Sequence, residues 1–116
     1  MTNLVSVIIP TYNGEKYIRD TIRSIKEQDV DVALEIIVID DISTDNTVKI
    51  AQEMGCRVIV NTEHKGQVAA KNIGIREANG KYWMTIDQDD MLTEGSLKRL
   101  MDEFEKIRKL KLLWQN

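Results

Sequence analysis

Two groups of acidic residues in this chain could do chemistry: Asp40-Asp41, and Asp87-Gln88-Asp89-Asp90. Each follows a short apolar run, Ile36 to Ile39 in the first case and Tyr82 to Ile86 in the second, so the carboxylates sit where a buried strand would give way to solvent. Clustered like charges cost stability unless a cation is expected among them. In extended chain Asp87 and Asp89, two residues apart, point the same way, with Gln88 facing away and Asp90 opening the turn beyond. A bare diphosphate brought to such a place meets repulsion of about 4 kcal/mol per carboxylate at ~4 Å and an effective dielectric of about 20. A cation must reverse that sign. Oxygen-only ligands select a hard divalent ion, and Mg²⁺ or Mn²⁺ shared between carboxylates and substrate phosphates suits the inventory. No glycine loop offers another cradle: the glycines at 14, 55, 66, 74, 80 and 95 form neither G-x-G-x-x-G nor G-x-x-x-x-G-K-[ST].

The elements that must position these acids are legible as a strand-helix rhythm repeated four times. Val5 to Ile9 reads as a strand closing at Pro10, which cannot donate to a sheet ladder. A helix follows Gly14, with Tyr17, Ile18, Ile22 and Ile25 at helical spacing, Glu15 suited to its start and Lys26 to its end. Glu35 to Asp40 is a run of the kind buried on both faces of a parallel sheet. Ser43, Thr44 and Asp45 offer caps for a helix turning Val48, Ala51 and Met54 inward and stopping at Gly55. Arg57 to Val60 makes a third strand, the polar stretch Asn61 to Gly66 leads into a helix over Gln67 to Ala78, and Asn79-Gly80 marks a turn. Tyr82 to Ile86 is the fourth strand, with Trp83 expected in the core. Leu97, Leu100, Met101, Phe104 and Ile107 form the stripe of a last helix, beyond which Leu110 to Trp114 is an apolar tail with no further strand to pack against.

Short connections between alternating strands and helices predict an α/β fold, a mostly parallel sheet with right-handed crossovers and helices on its faces. Ligands of such sheets bind outside the carboxyl ends of the strands. Thr11-Tyr12-Asn13, Asp40-Asp41 and Asp87 to Asp90 all fall at that edge, whereas the third strand delivers Asn61 and Thr62, which say less.

Bulk properties narrow the field. A chain of 116 residues is one domain, and 42% hydrophobic with 30% charged residues is a folding composition. Sixteen basic against nineteen acidic side chains, net −3, give no pull toward nucleic acid or anionic lipid. Cys56 has no partner for a disulfide and no zinc framework exists, so Cys56 is read as packing. With neither a secretory leader nor an apolar span in this sequence, the expected compartment is the cytoplasm, membrane association being left to parts of an intact protein outside this chain. Ser43 and Asp45 are read as caps, His64 as a solvated loop side chain, and the mixed charges from Lys98 to Lys111 as a wet helix face.

Four segments then resemble the signatures of family 2 glycosyltransferases of the GT-A fold. They are Val5 to Glu15 (VSVIIPTYNGE), Ile37 to Thr47 (IVIDDISTDNT), Gly66 through Ala70-Lys71-Asn72-Ile73-Gly74, and Ile86 to Asp90 (IDQDD) as the metal-binding D-x-D. Their order over nearly the whole chain is far more specific than any one of them. The resemblance implies a Rossmann-like three-layer sandwich, here truncated, spanning 1–116 as the part that binds a nucleotide-diphosphate sugar, with a UDP-sugar favoured. It implies that Pro10, Thr11, Tyr12 and Glu15 border the base and ribose, and that Asp41, with Asp40 beside it, accepts the imide N–H of uracil or its equivalent. Lys71 and Asn72 would reach the nucleoside or sugar. Asp87, Asp89 and Asp90 would hold the metal, Asp87 also touching substrate. Ile42 stands where the family commonly has glycine, and Lys71 where it commonly has arginine.

Members of that family run about twice as far and place the acceptor site and catalytic base in the second half. After Asp90 the acids of this chain are Glu94, Asp102, Glu103 and Glu105, the last three on a solvent helix face, and none is a credible base. The general base is therefore expected beyond Asn116, the last residue of the sequence. The resemblance thus implies a donor-binding fragment, the intact protein transferring a sugar with inversion to a carbohydrate or lipid-linked hydroxyl. Exposed apolar surface where the other half would pack makes self-association an expectation. Two alternatives stand beside it. A receiver-like signalling domain shares the rhythm, but Asp40-Asp41 come too late in the chain and no strand ends in lysine. A binding module without activity of its own could describe the isolated chain.

Overall fold

The computed structural model describes residues 4–114. In chain order the elements are β1 (Leu4–Thr11), α1 (Ile18–Lys26), β2 (Ala33–Asp40), α2 (Thr47–Glu53), β3 (Arg57–Val60), α3 (Gln67–Glu77), β4 (Tyr82–Thr85) and α4 (Ser96–Trp114). The strands form one sheet in the order β3-β2-β1-β4, with every neighbouring pair parallel. This is the α/β architecture that the alternating pattern demands, because a parallel pair needs a crossover and each crossover here is a helix.

Strand alternation divides the core in two. Val5, Val7, Ile9, Ile36 and Val38 face Ile18, Ile22 and Ile25 of α1 and Ala51 of α2. Ile8, Ile37 and Ile39 point the other way, onto Ala70 of α3. Gly74 lets α3 lie close on that face, since a Cβ there would collide with the Ile8 side chain. β1 and β2 are therefore buried on both sides, which is why their sequences are nearly continuous aliphatic runs.

Pro10 lies inside β1 rather than ending it. The Ile8 carbonyl accepts from Ile86 on the β4 side, so Pro10, two residues on, faces that same side, where β4 has already stopped and no ladder bond is lost. Trp83 is a correction. β4 is an edge strand, not a central one, and the indole is 49% exposed. Tyr17 likewise stands just outside α1 and is exposed. Along α4 burial fades. Leu97 is buried and Phe104 stacks on Tyr82 at 5.1 Å, but Ile107 and Leu110 are exposed. A 19-residue helix is ~28 Å long against ~13 Å for four-residue β4, so it outruns the sheet. Of the apolar tail expected beyond it, the side chains from Lys111 onward, Trp114 included, lie outside the described residues, and so does Asn116.

At the amino ends of the strands, Glu35 anchors the α3-β4 turn. Its carboxylate accepts from Ser6 Oγ at 2.7 Å, from the Asn79 backbone at 3.1 Å and from the Asn79 amide at 2.8 Å, while Gly80 N–H donates to Ser6 Oγ. Burial would push its pKa up, but these donors and Arg57 outweigh it and hold Glu35 below the ordinary glutamate range. That clamp fixes where β4 enters the sheet, and so where the acids after it emerge.

Candidate functional site

At the opposite, carboxyl edge, a cleft of about 480 Å³ opens between the loops after β1, β2 and β4 and the start of α3. Pro10, Thr11, Tyr12, Asp41, Asp87 and Asp89 line it, together with His64, Gly66, Gln67, Ala70 and Gln88. An adjoining hollow of about 400 Å³ is walled by Lys71, Asp87 and Asp90 among others. Asp87 belongs to both. Glu15, Asp40 and Asn72, expected at the substrate, are not among the lining residues of either cavity. Glu94, Asp102, Glu103 and Glu105 are also absent from both linings. Asn116 is not itself a site residue: it lies outside the described residues and marks only the point past which the base is expected.

The two acidic groups are built differently. Asp40, fully buried, spends its carboxylate on the fold: it accepts from Thr11 Oγ1 at 2.7 Å, Ser43 N at 2.8 Å and Ser43 Oγ at 2.6 Å. Glu15 is likewise engaged locally. Its side chain accepts from Asn46 Nδ2 at 2.7 Å and its N–H donates to Asp45. Asp45 caps α2 from just outside, accepting Thr47 N–H at 3.0 Å. Ser43, expected as a cap, instead donates to Asp40 and accepts from Asn13 N–H, and with the Glu15 N–H on Asp45 this makes a seam between the loops after β1 and β2.

Asp41 turns into the cleft yet is only 3% exposed. Its Oδ1 accepts from Asn61 Nδ2 at 3.0 Å and Lys65 N at 2.8 Å. Its Oδ2 accepts from Gly66 N at 2.9 Å and lies 2.9 Å from His64 Nδ1. Hydrogen bonds from Asn61 and the Lys65 backbone, then Gly66 and the nearby His64, outweigh desolvation and bring its pKa down to about 2. Gly66 can aim its N–H there because it sits at φ 89°, ψ 171°, a conformation essentially reserved for glycine. His64 is exposed, as expected of a loop side chain, and in addition its Nδ1 stands 2.9 Å from Asp41 Oδ2 and its ring meets the Tyr12 ring edge-on at 5.1 Å.

Asp87, Asp89 and Asp90 converge. One carboxylate oxygen from each lies within 4.8 Å of the others. A tight turn, closed by Asp90 N–H donating to Asp87 C=O at 3.1 Å, brings them together, rather than the alternation of an extended strand. Gln67 Nε2 donates to Asp87 at 2.9 Å and Lys71 Nζ stands 3.9 Å from it. Three exposed, oxygen-only donors within a few ångströms fit a hard divalent ion.

Gln88 escapes a reading from sequence. It does turn away from the acids, but it has work of its own. Its Oε1 accepts Tyr12 N–H at 2.8 Å, its Nε2 donates to Tyr12 C=O at 3.0 Å, and its carbonyl accepts from Thr21 Oγ1 at 2.6 Å. Gly14 beneath it leaves no room for a Cβ against the Gln88 amide. Gln67 escapes in the same way. For neither does residue type alone carry a signal, since glutamine is ordinary on surfaces.

Comparisons with known proteins find a family and a shared fold. The profile of glycosyl transferase family 2 matches residues 6–110. The chain is 34% identical over 110 residues to the glycosyltransferase GlyG of Streptococcus pneumoniae, covering 90% of this chain and 36% of that protein. It superposes on Staphylococcus aureus TarS in complex with UDP-GlcNAc with a TM-score of 0.82 at 30% identity, over 91% of this chain and 32% of TarS. It superposes on the mannosyltransferase PcManGT of Pyrobaculum calidifontis, in complex with GDP-Man and Mn²⁺, with a TM-score of 0.75 at 29% identity, over 84% and 31%. The chain thus spans about a third of the length of these proteins. The receiver-like alternative finds no support among them. Among the described residues no helix is long and apolar enough to cross a membrane.

Proposed function

The chain belongs to glycosyl transferase family 2, and we propose that it is the donor-binding part of a glycosyltransferase, holding a nucleotide-diphosphate sugar with UDP as the favoured nucleotide. The observation that carries this is the meeting of Pro10, Thr11, Tyr12 and Asp41 with Asp87 and Asp89 in one cleft. Pro10 to Tyr12 and Asp41 serve the base side, and a carboxylate, acceptor-only when ionised, suits a base that offers a ring N–H. Asp87, Asp89 and Asp90 hold Mg²⁺ or Mn²⁺, and such an ion, when bound, supplies the positive charge that lets diphosphate settle and leave among acids. Lys71, close to Asp87, adds a fixed cation on the sugar side. Asp40, Glu15 and Asn72 act at one remove in this reading, Asp40 and Glu15 by positioning the loops.

Inverting transfer to an acceptor hydroxyl, carbohydrate or lipid-linked, belongs to the intact protein. Its general base comes from beyond Asn116, a reading supported by the acids after Asp90, all of which stand away from both cavities. The setting is cytoplasmic, where a lone thiol such as Cys56 stays reduced. The exposed indole of Trp83 on the edge strand β4 supplies a surface for self-association. Calorimetric titration of UDP, GDP and UDP-GlcNAc, with and without Mn²⁺, tests the core of the proposal. Metal-dependent binding of a uridine ligand is expected, and no binding to any of them under either condition overturns it.

A further inference from the structure

The loop after β1 carries the aromatic wall of the cleft, and it is tied unequally on its two sides. Toward β2 it is held at three consecutive residues: Asn13 N–H donates to Ser43 Oγ at 2.8 Å, Gly14 N–H to Thr47 Oγ1 at 2.9 Å and Glu15 N–H to Asp45 Oδ2 at 3.2 Å. Toward the acidic corner, among the described residues, Tyr12 is held by one side chain, Gln88, whose amide takes both its N–H and its C=O. Gln88 is also the residue between Asp87 and Asp89, inside the turn that Asp90 N–H closes on Asp87 C=O. The seat is shaped from below as well. Gly14 has no positive φ to call for glycine, yet a Cβ there would collide with the Gln88 amide. We infer that Gln88 is a positioning residue that couples the two ends of the cleft, so that a divalent ion on Asp87, Asp89 and Asp90 tightens the hold on a uracil nucleoside that carries no phosphate to meet the ion. The inference rests on the donor-binding reading above.

The coupling follows from crowding. Three carboxylate oxygens lie within 4.8 Å of one another, and without an ion their repulsion favours a more open turn. Opening the turn carries Gln88 with it, because Gln88 stands between two of the acids. Its two bonds to Tyr12 depend on distance and direction and weaken steeply when either is lost. An ion that gathers the acids therefore favours the seated amide, and with it one fixed position of the Tyr12 wall. A ligand of that wall gains affinity in proportion to the fraction of molecules already in the competent state. The effect is reciprocal, so a nucleoside on the wall strengthens the ion by the same factor. Both Tyr12–Gln88 bonds lie at the surface, where water takes over the orphaned groups, so losing the amide leaves the fold standing.

The experiment is calorimetric titration of uridine with and without saturating Mn²⁺, with UDP titrated alongside, on the unaltered chain, Gln88→Ala, Gly14→Ala and the double variant. In the unaltered chain Mn²⁺ should tighten uridine binding about fivefold, the low end of ordinary coupling between sites. In Gln88→Ala the two affinities should become equal. Gly14→Ala, which evicts the same amide from below, should do likewise, and adding it to Gln88→Ala should change nothing further, since the methyl then enters vacated space. A merely structural role for Gln88 would weaken uridine in both conditions and leave their ratio as it is in the unaltered chain. Equal affinities in the unaltered chain, an undiminished ratio in Gln88→Ala, or binding of UDP without any binding of uridine overturns the inference while leaving donor binding intact. No binding of UDP or uridine by any of the four chains, with or without the ion, removes the donor-binding reading itself, and the coupling with it.

Discussion

The acids after β2 and the acids after β4 have similar composition and opposite construction. Asp40 and Asp41 are buried and each accepts from three donors, among them hydroxyls, an amide and backbone N–H groups. Asp87, Asp89 and Asp90 crowd together near solvent with one glutamine and one lysine, both on Asp87, for company. The first pair is a finished piece of protein structure whose charge the fold itself solvates. The second is left electrostatically incomplete, and only an ion from outside completes it.

Under that contrast, the same kind of substitution must do opposite things in the two places. Asp41→Ala orphans three donors at once, Asn61 and the backbone N–H groups of Lys65 and Gly66, and should produce the largest effect, a fall in melting temperature on the order of 10 °C in a calorimetric scan. Unchanged melting would show that the hydrogen-bond network on Asp41 is not holding the loops. Asp89→Asn, by contrast, relieves like-charge crowding, so melting should stay put or rise slightly while Mn²⁺ affinity drops about tenfold or more in a metal titration. A loss of stability there would erase the distinction.

Acid titration sharpens the same comparison. Asp41 has a folded pKa of about 2 against an ordinary 3.8, so the unfolded chain binds its proton first as pH falls. Its contribution to stability is whole above about pH 4 and is lost progressively toward pH 2. The unaltered chain should therefore lose more stability across that window than Asp41→Asn does, as read by denaturant melts. The smallest expected effect lies at the neighbouring residue. Ile42 sits at φ 64°, a left-handed conformation that a β-branched side chain adopts only under strain, and it is 40% exposed. Ile42→Gly should raise stability by about 1 kcal/mol in equilibrium unfolding, and a loss would mean that its side chain packs better than its exposure implies.

Much of this is open to reading in the residues alone. The continuous aliphatic runs of β1 and β2 announce strands buried on both faces, and the acids at strand ends announce the edge that matters. Ile42, where glycine is common in resembling sequences, even carries its backbone angle in its position. What stays hidden depends on neighbours distant in the chain. Trp83 looks like core because aromatic alternation cannot tell an edge strand from a central one. His64 is as solvated as its polar loop suggests, but only the fold reveals that Asp41 lies beside it. Asp40 and Asp41 look like one pair, but strand alternation turns one into the loop framework and the other into the cleft, a parity that two adjacent letters of the same residue do not display.

The Gln88 amide, gripping both the N–H and the C=O of Tyr12, gives the cleft a mechanical property beyond its chemistry. It splints the aromatic wall to the acidic corner, much as one more rung would extend the ladder between β1 and β4 past the point where Pro10 forbids it. Anything that shifts the corner must drag the wall along, so the two ends of the cleft move as a single jaw.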